Sequence, residues 1–357
     1  MKERAIDQKC LSCGAPLLFN PTVGKWKCEH CRSEFNLEDI EKHNAKKNIK
    51  QNSTKTAEIQ DDTVYINYKC KNCGAEIIAD EQTASTFCVY CGNTAILKHK
   101  LSGKFAPSKI IPFKKDKKTA IEAFKGLNKG RPLMPKFFND QKNIEKISGV
   151  YIPFWLYDIN VAGGMNISAT NIKTWTSGDY TYKKVDVYSI EKEATMDFER
   201  IPVDGSTRFS NDVMNSIEPF DYSEMVDYNH AYLSGFLAEK YDVDGNVAFE
   251  EASKRAFNST NDEVLKSAGH YTTKTVTNNT LTPKETKKEY VLLPVWMINV
   301  KYKEKFHIFA MNAQTGEIIG DIPVHVPSLI KYCVIVFFSV FLIVLLITYI
   351  VYKFGGA

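Results

Sequence analysis

Residues 9–31 read KCLSCGAPLLFNPTVGKWKCEHC, and residues 69–91 read KCKNCGAEIIADEQTASTFCVYC. The two stretches align without a gap. Cys10, Cys13, Cys28 and Cys31 recur as Cys70, Cys73, Cys88 and Cys91, each set being two Cys-x-x-Cys pairs with fourteen residues between them. Two tandem copies of one small module explain this spacing. Zinc takes four tetrahedral ligands, and thiolates suit it. A Cys-x-x-Cys turn presents two sulfurs to one ion with little strain, and two such turns at hairpin tips clasp it. Each set is therefore expected to form a β zinc ribbon, giving two structural Zn2+ ions held by all eight cysteines. Iron in a rubredoxin-like site uses similar knuckles and stays open as the alternative. A redox dithiol fits less well, because two pairs recur together.

Details around the cysteines agree. Gly14, Gly74 and Gly92 directly follow Cys-x-x-Cys pairs, where positive φ turns backbone N–H groups toward sulfur; Arg32 takes that place after Cys31. His30 lies inside the Cys28–Cys31 turn, but four sulfurs already close the site, so it is expected to be exposed. Four thiolates around a dication leave a charge near −2, which Lys9, Lys27, Lys69 and Lys71 would offset. With no open coordination position, the ions are expected to be structural. A module this small buries too little apolar surface to fold alone, and structural zinc contributes on the order of 10 kcal/mol.

The chain opens MKERAIDQKC, with no apolar stretch before a cleavage site, so its N-terminal bulk is expected in the cytosol. In a reducing compartment paired cysteines serve as metal ligands rather than disulfides. The other end differs. Residues 332–352 read YCVIVFFSVFLIVLLITYIVY, without a charge. At about 1.5 Å per residue this run spans roughly 30 Å, the thickness of a hydrocarbon core. Lys331 and Lys353 bracket it, and Tyr332, Tyr349 and Tyr352 sit at interfacial positions. A buried core helix would be shorter and less uniformly apolar. A single-pass transmembrane helix over 329–353 is expected, with the lipid bilayer as partner through 332–352, placing the protein at the cell membrane. Cys333 at its boundary is an apolar residue in lipid or an acylation site.

Between these ends, 1–40 is expected to be the first ribbon, 41–60 a polar linker and 61–100 the second ribbon; 101–326 is expected to be an α+β cytosolic body. Tyr151–Ile159 (YIPFWLYDI) and Leu292–Val300 (LLPVWMINV) each carry Pro-x-Trp in a strand-like run. They suggest an internal two-fold repeat, with Pro153 and Pro294 at strand starts or edges. KVDVYSI near Val185 and EKFHIFAMNA near Phe306 read as further strands. Helices are expected over 117–129 and 247–268, behind Asp116 and Asp244, and a third around Met225–Glu239.

No phosphate-binding loop, nucleophile elbow, His-Glu-x-x-His or dinucleotide fingerprint occurs. Asp242–Asn246 followed by Glu250 only superficially matches a calcium loop; its glycine is misplaced, and a helix-capping turn is the plainer reading. The chain is expected not to be an enzyme, and no small-molecule substrate is evident. Lys+Arg 46 against Asp+Glu 42 gives a net charge of +4, too balanced to demand a nucleic-acid partner. The Lys-rich junction over 98–118 keeps nucleic-acid binding as the alternative class.

The two cysteine modules, the phrases YIPFWLYD, HAYLSGFLAEKYDVD, YVLLPVWMINVKY and MNAQTGEIIGDIPV, and the apolar tail together resemble a bacterial family of TFIIB-type zinc-ribbon membrane proteins. Members also carry a replication-restart helicase label, which the missing phosphate-binding loop does not support. The resemblance covers nearly the whole chain. It implies the eight cysteines as metal ligands, and association with membrane proteins and SPFH-domain scaffolds in envelope-stress systems. The chain is accordingly expected to be a membrane-anchored, non-enzymatic scaffold whose ribbons present a protein-binding surface. Trp26, Phe35, Phe87 and Tyr90 near the knuckles are candidate partner contacts or ribbon-core residues.

Overall fold

The computed structural model describes residues 8–51, 66–70, 76–79, 96–100, 107–127, 130–135, 147–207, 214, 216–302, 305–320 and 322–354. They form a mixed α+β structure. At the N-terminus β1 (Gln8–Lys9), β2 (Pro16–Asn20), β3 (Lys25–Cys28) and β4 (Glu34–Phe35) make a four-stranded antiparallel sheet. Alternation in β2 and β3 turns Leu17, Phe19, Trp26 and Cys28 to one buried face. Helix α1 (Leu37–Gln51) follows, its Asp39 carboxylate accepting the Asn36 N–H at 3.0 Å, and runs past residue 40 into the polar stretch.

The second sheet has the order β11-β8-β14-β9-β12-β6-β5-β7 along its main path. Its members are β5 (Ile66–Cys70), β6 (Glu76–Ala79), β7 (Ile96–Lys100), β8 (Lys109–Ile110), β9 (Ser148–Ser177), β11 (Val226–Asp227), β12 (Leu237–Glu239) and β14 (Thr282–Tyr302). Strands β10 (Tyr180–Asp204) and β13 (Thr273–Asn279) pair with β9; β15 (Lys305–Asn312) joins β14, and β16 (Ile318–Gly320) joins β15. Helix α2 (Lys117–Gly126) starts behind Asp116, and α3 (Gly245–Ser267) behind Asp244; each carboxylate accepts a first-turn N–H, from Thr119 and Asn246 respectively. The Asp244 turn is thus a helix cap, as its sequence suggested.

The two Pro-x-Trp runs lie side by side, one in the first third of β9 and the other in the middle of β14, as antiparallel partners with Tyr151 opposite Pro294 and Pro153 opposite Leu292. Neither proline is at a strand start. Pro153 sits where β9 changes neighbour from β12 to β10, and Pro294 where β14 changes from β8 to β15. The absent N–H falls at that seam, so no ladder bond is lost; the carbonyls accept from Gly205 and Ala313. The surroundings match residue for residue. Lys109 and Ile110 pair in parallel with Val291 and Leu292, as Leu237 and Ala238 do with Val150 and Tyr151. Trp296 donates to the Lys115 carbonyl at 2.8 Å and Trp155 to the Val243 carbonyl at 3.0 Å. Lys115 and Val243 each immediately precede a helix cap.

Around Met225–Glu239 the chain is not helical. Val226–Asp227 is a strand, His230–Leu233 a 3-10 turn and Leu237–Glu239 a strand. The Asn229 side chain accepts the Ala231 N–H at 2.9 Å, and Gly235 stands at φ +94. Both features favour turns over a continued helix. Ala231, Tyr232 and Leu233 are buried in succession, which a one-sided surface helix cannot do.

Strands β9 and β10 form one long hairpin joined by Gly178-Asp179, with Gly178 at φ +60 as a type II′ loop asks of its first residue. Helix α3 lies on one face of this hairpin, its Ala248, Ala252 and Ala256 allowing close approach to Tyr157, Ile159 and Val161.

Helix α4 (Val326–Phe354) ends the described chain. Val326–Ile350, 25 residues of mean hydropathy 3.0 and unburied, is long and apolar enough to cross a membrane by length and composition. It begins before the uncharged run. His325 holds the first turn, its Nδ1 2.7 Å from the Ser328 hydroxyl.

Candidate metal centre

The four sulfurs of Cys10, Cys13, Cys28 and Cys31 all lie within 4.8 Å of one another. Cys10 and Cys31 are 3.5 Å apart, and Cys13 and Cys28 3.6 Å. A tetrahedron with metal–sulfur bonds of about 2.3 Å requires sulfur separations of about 3.8 Å. The donor set therefore fits a four-coordinate ion in both chemistry and spacing.

Two equivalent knuckles bring the sulfurs together. In the first, Gly14 N–H bonds to Cys10 O at 2.9 Å and Cys10 N–H to Ala15 O at 2.7 Å. In the second, Arg32 N–H bonds to Cys28 O at 2.9 Å and Cys28 N–H to Ser33 O at 2.9 Å. Gly14 has φ +72 and Arg32 φ +63. The second knuckle thus adopts the same left-handed turn with an L side chain, at a local cost of roughly 1 kcal/mol. His30 is exposed and outside the cluster. Cys10 and Cys28 are buried, Cys13 and Cys31 exposed.

The two exposed thiols, Cys13 and Cys31, ionise differently. The Ser33 hydroxyl, 3.2 Å from Cys31 Sγ, and then the Ser33 backbone pull the Cys31 thiol down to about 6. Cys13 is pushed up to about 12; the backbone donor at Ala15 opposes this, while partial desolvation and the neighbouring sulfurs of Cys31, Cys28 and Cys10 raise it. A bound dication offsets that mutual repulsion and favours the thiolates.

The cluster is fastened to the body. The Trp26 indole N–H donates to the Ala231 carbonyl at 2.7 Å, and Phe19 N–H donates to Ser234 O at 3.1 Å. Tyr232 meets Phe19 edge-on at 5.5 Å and Trp26 at 5.2 Å. At the rim, Asn229 donates to the Glu41 carboxylate at 2.9 Å. Trp26 is 1% exposed, so it is closed to any partner, and Phe35 is packed at the edge of the same core. Nothing in the cysteine spacing pointed to the receiving segment. Its signal was the apolar phrase Ala231–Phe236, read as helix instead.

Of the second set, Cys70 ends β5, while its side chain and Cys73, Cys88 and Cys91 lie outside the described residues, as do Phe87 and Tyr90. The described strands do repeat the first module's register. Gln8 faces Leu17 and Lys9 faces Pro16; Tyr68 faces Ile77 and Lys69 faces Glu76. Strand β6 also pairs with β12, directly after the segment that receives Trp26.

The "Uncharacterized protein YdjG" of Bacillus subtilis (strain 168) is 32% identical over 319 residues, which cover 89% of this chain and 90% of that protein. The chain belongs to the YdjG family. No protein-family model matches it, and no solved structure matches it. The YdjG likeness thus runs along almost the whole chain rather than the cysteine segments alone.

Proposed function

We propose that the chain is a non-enzymatic, membrane-anchored adaptor. Two tandem zinc ribbons, with Cys10, Cys13, Cys28 and Cys31 on one ion and Cys70, Cys73, Cys88 and Cys91 on a second, recruit protein partners to the cytoplasmic face of the cell membrane. Helix α4 is the anchor. The resemblance to zinc-ribbon membrane proteins makes SPFH-domain scaffolds in an envelope-stress setting the partner class.

The observation that carries this reading is the docking of a four-sulfur cluster onto the body through Trp26 and Ala231, in a chain that ends in an unburied apolar helix. A structural ion then fixes a rigid surface. The shared register of the two modules supports a second ribbon of the same kind. The nucleic-acid alternative is weakened at the Lys-rich junction, where Lys109 is paired with Asp227 at 2.9 Å and Lys114 with Glu224.

Affinity purification from detergent-solubilised membranes tests the reading. Partners co-purify with the wild type and are lost with Cys28→Ser/Cys31→Ser, while membrane insertion is unchanged. Unchanged co-purification would remove the first ribbon from recruitment, and a chain recovered in the soluble fraction would remove the anchor.

A further inference from the structure

The sheet face that α3 covers continues after α3 stops. Directly opposed residues of an antiparallel pair share a face. Ile167 and Ile190, beneath α3, are therefore followed by Ala169/Tyr188, Asn171/Asp186, Lys173/Lys184, Trp175/Tyr182 and Ser177/Tyr180. The helix ends at Ser267, and Tyr271 makes a ring contact with Tyr188 at 5.3 Å. Beyond it Trp175 and Tyr182 stack at 5.5 Å with 12° between their planes, yet they are 50% and 46% exposed, and Tyr180 is 72% exposed. Strand β13 reaches β9 only as far as Thr170, so the described arm is two-stranded from there to its tip. A two-stranded ribbon is marginal in water, and a contiguous aromatic patch is the mark of an interface.

We propose that this aromatic face packs against the same face of a second copy of the chain, the two arms side by side about a two-fold axis. Topology argues against the bilayer that would hold α4. Gly320 pairs with Phe309, which pairs with Ile298, and Met297 pairs with Ser148. The chain therefore departs for α4 level with the start of β9. The tip lies at the other end of that 30-residue strand, roughly 100 Å away at about 3.3 Å per residue. Charge argues the same way. Lys173 and Lys184 share the face with Asp186, which is 3.1 Å from Lys184, and Asp179 is at the turn. This mixed set suits a self-complementary mate better than an anionic lipid or a phosphate backbone.

Area sets the conditions. Three adjacent aromatics, Trp175, Tyr180 and Tyr182, between half and three-quarters exposed, offer about 350 Å² per copy, under half of the ~800 Å² that each partner gives to a stable interface. Tethering in one membrane supplies the missing strength by raising the effective concentration. That assistance rests on the anchor reading.

The test uses the full chain reconstituted in phosphatidylcholine vesicles, with a benzophenone amino acid placed at Ser177, on the aromatic face, or at Thr176, on the opposite face. Irradiation should give a cross-linked dimer from Ser177, with the yield from Thr176 about tenfold lower or less. Adding Trp175→Ser/Tyr182→Ser, both exposed positions, should abolish the Ser177 product. Equal yields from both positions, cross-links to lipid alone, or no dimer from either would overturn the proposal. Carbonate extraction of the same vesicles reads the anchor separately. If the chain is released, the anchor reading fails, and the face-specificity of the cross-link at matched concentration still decides the dimer.

Discussion

The indole N–H of Trp26 ends on the carbonyl oxygen of Ala231, 2.7 Å away and 205 residues along the chain. This buried bond ties the four-cysteine head to the body, with the Phe19 and Tyr232 rings closing around it. Trp26→Phe keeps most of the apolar surface but removes one of the two donors to the Ala231 carbonyl, which retains the Ser234 N–H at 3.0 Å, and should cost about 0.5–1.5 kcal/mol. Trp26→Ala should cost about 3–5 kcal/mol. Hydrogen exchange checks this: protection should fall at Asn229–Phe236 in both variants and stay unchanged in α3.

Metal removal should act beyond the head. Cys10 and Cys28 belong to the same buried cluster as Trp26, Leu233 and Phe236. Chelation, or Cys28→Ser, should therefore melt β1–β4 and also release the 229–236 segment. Chelator-induced exchange confined to residues before 46 would show that docking survives without the ion.

Buried Asp204 supplies a pH dependence. Burial raises its carboxyl to about 8; the Ser206 N–H opposes this, and Glu239, Asp242 and Glu251 add to it. Between its ordinary value near 4 and about 8, folding takes up a proton, so this group's stabilisation is full below about pH 4 and is lost as pH rises toward 8. Asp204→Asn should remove that slope. Thermal melts should show the wild type losing stability relative to Asp204→Asn between about pH 5 and pH 8. A constant difference across that range would mean that Asp204 is already ionised in the fold.

Two backbone positions predict opposite signs. Gly163 has φ +147, and a Cβ there would press into the Thr280 carbonyl group, with its carbon at 2.7 Å. Gly163→Ala should cost about 2 kcal/mol or more and loosen the β9–β13 junction. Arg32 holds φ +63 in the second knuckle, so Arg32→Gly should be neutral or stabilising by up to about 1 kcal/mol. Denaturant melts of the metal-loaded protein compare the two.

The cysteine cluster was legible because thiolate chemistry fixes spacing: Cys10, Cys13, Cys28 and Cys31 meet as their intervals required. Asp116 and Asp244 announced α2 and α3 because a cap is a local device. The Pro-x-Trp runs were recognisable as strands, but not their pairing with each other, since the seam that tolerates Pro153 and Pro294 is made by β12 and β8 from elsewhere in the chain. KVDVYSI near Val185 was read as a strand and is one, within β10, but the length of the arm and its pairing with β9 escaped, because Trp175 through Tyr188 buries neither face fully. Residues 225–239 were misread because a run of apolar side chains has the same composition in a helix as in a turn gripped from both sides.

Metal content of the purified full chain is the most direct test of the sulfur-clamped head. Elemental analysis should find one tetrahedral ion per cysteine set, about two per chain, falling to about one in Cys10→Ser/Cys13→Ser/Cys28→Ser/Cys31→Ser. A wild-type chain that folds with no bound metal, or a variant that keeps the wild-type content, would contradict it.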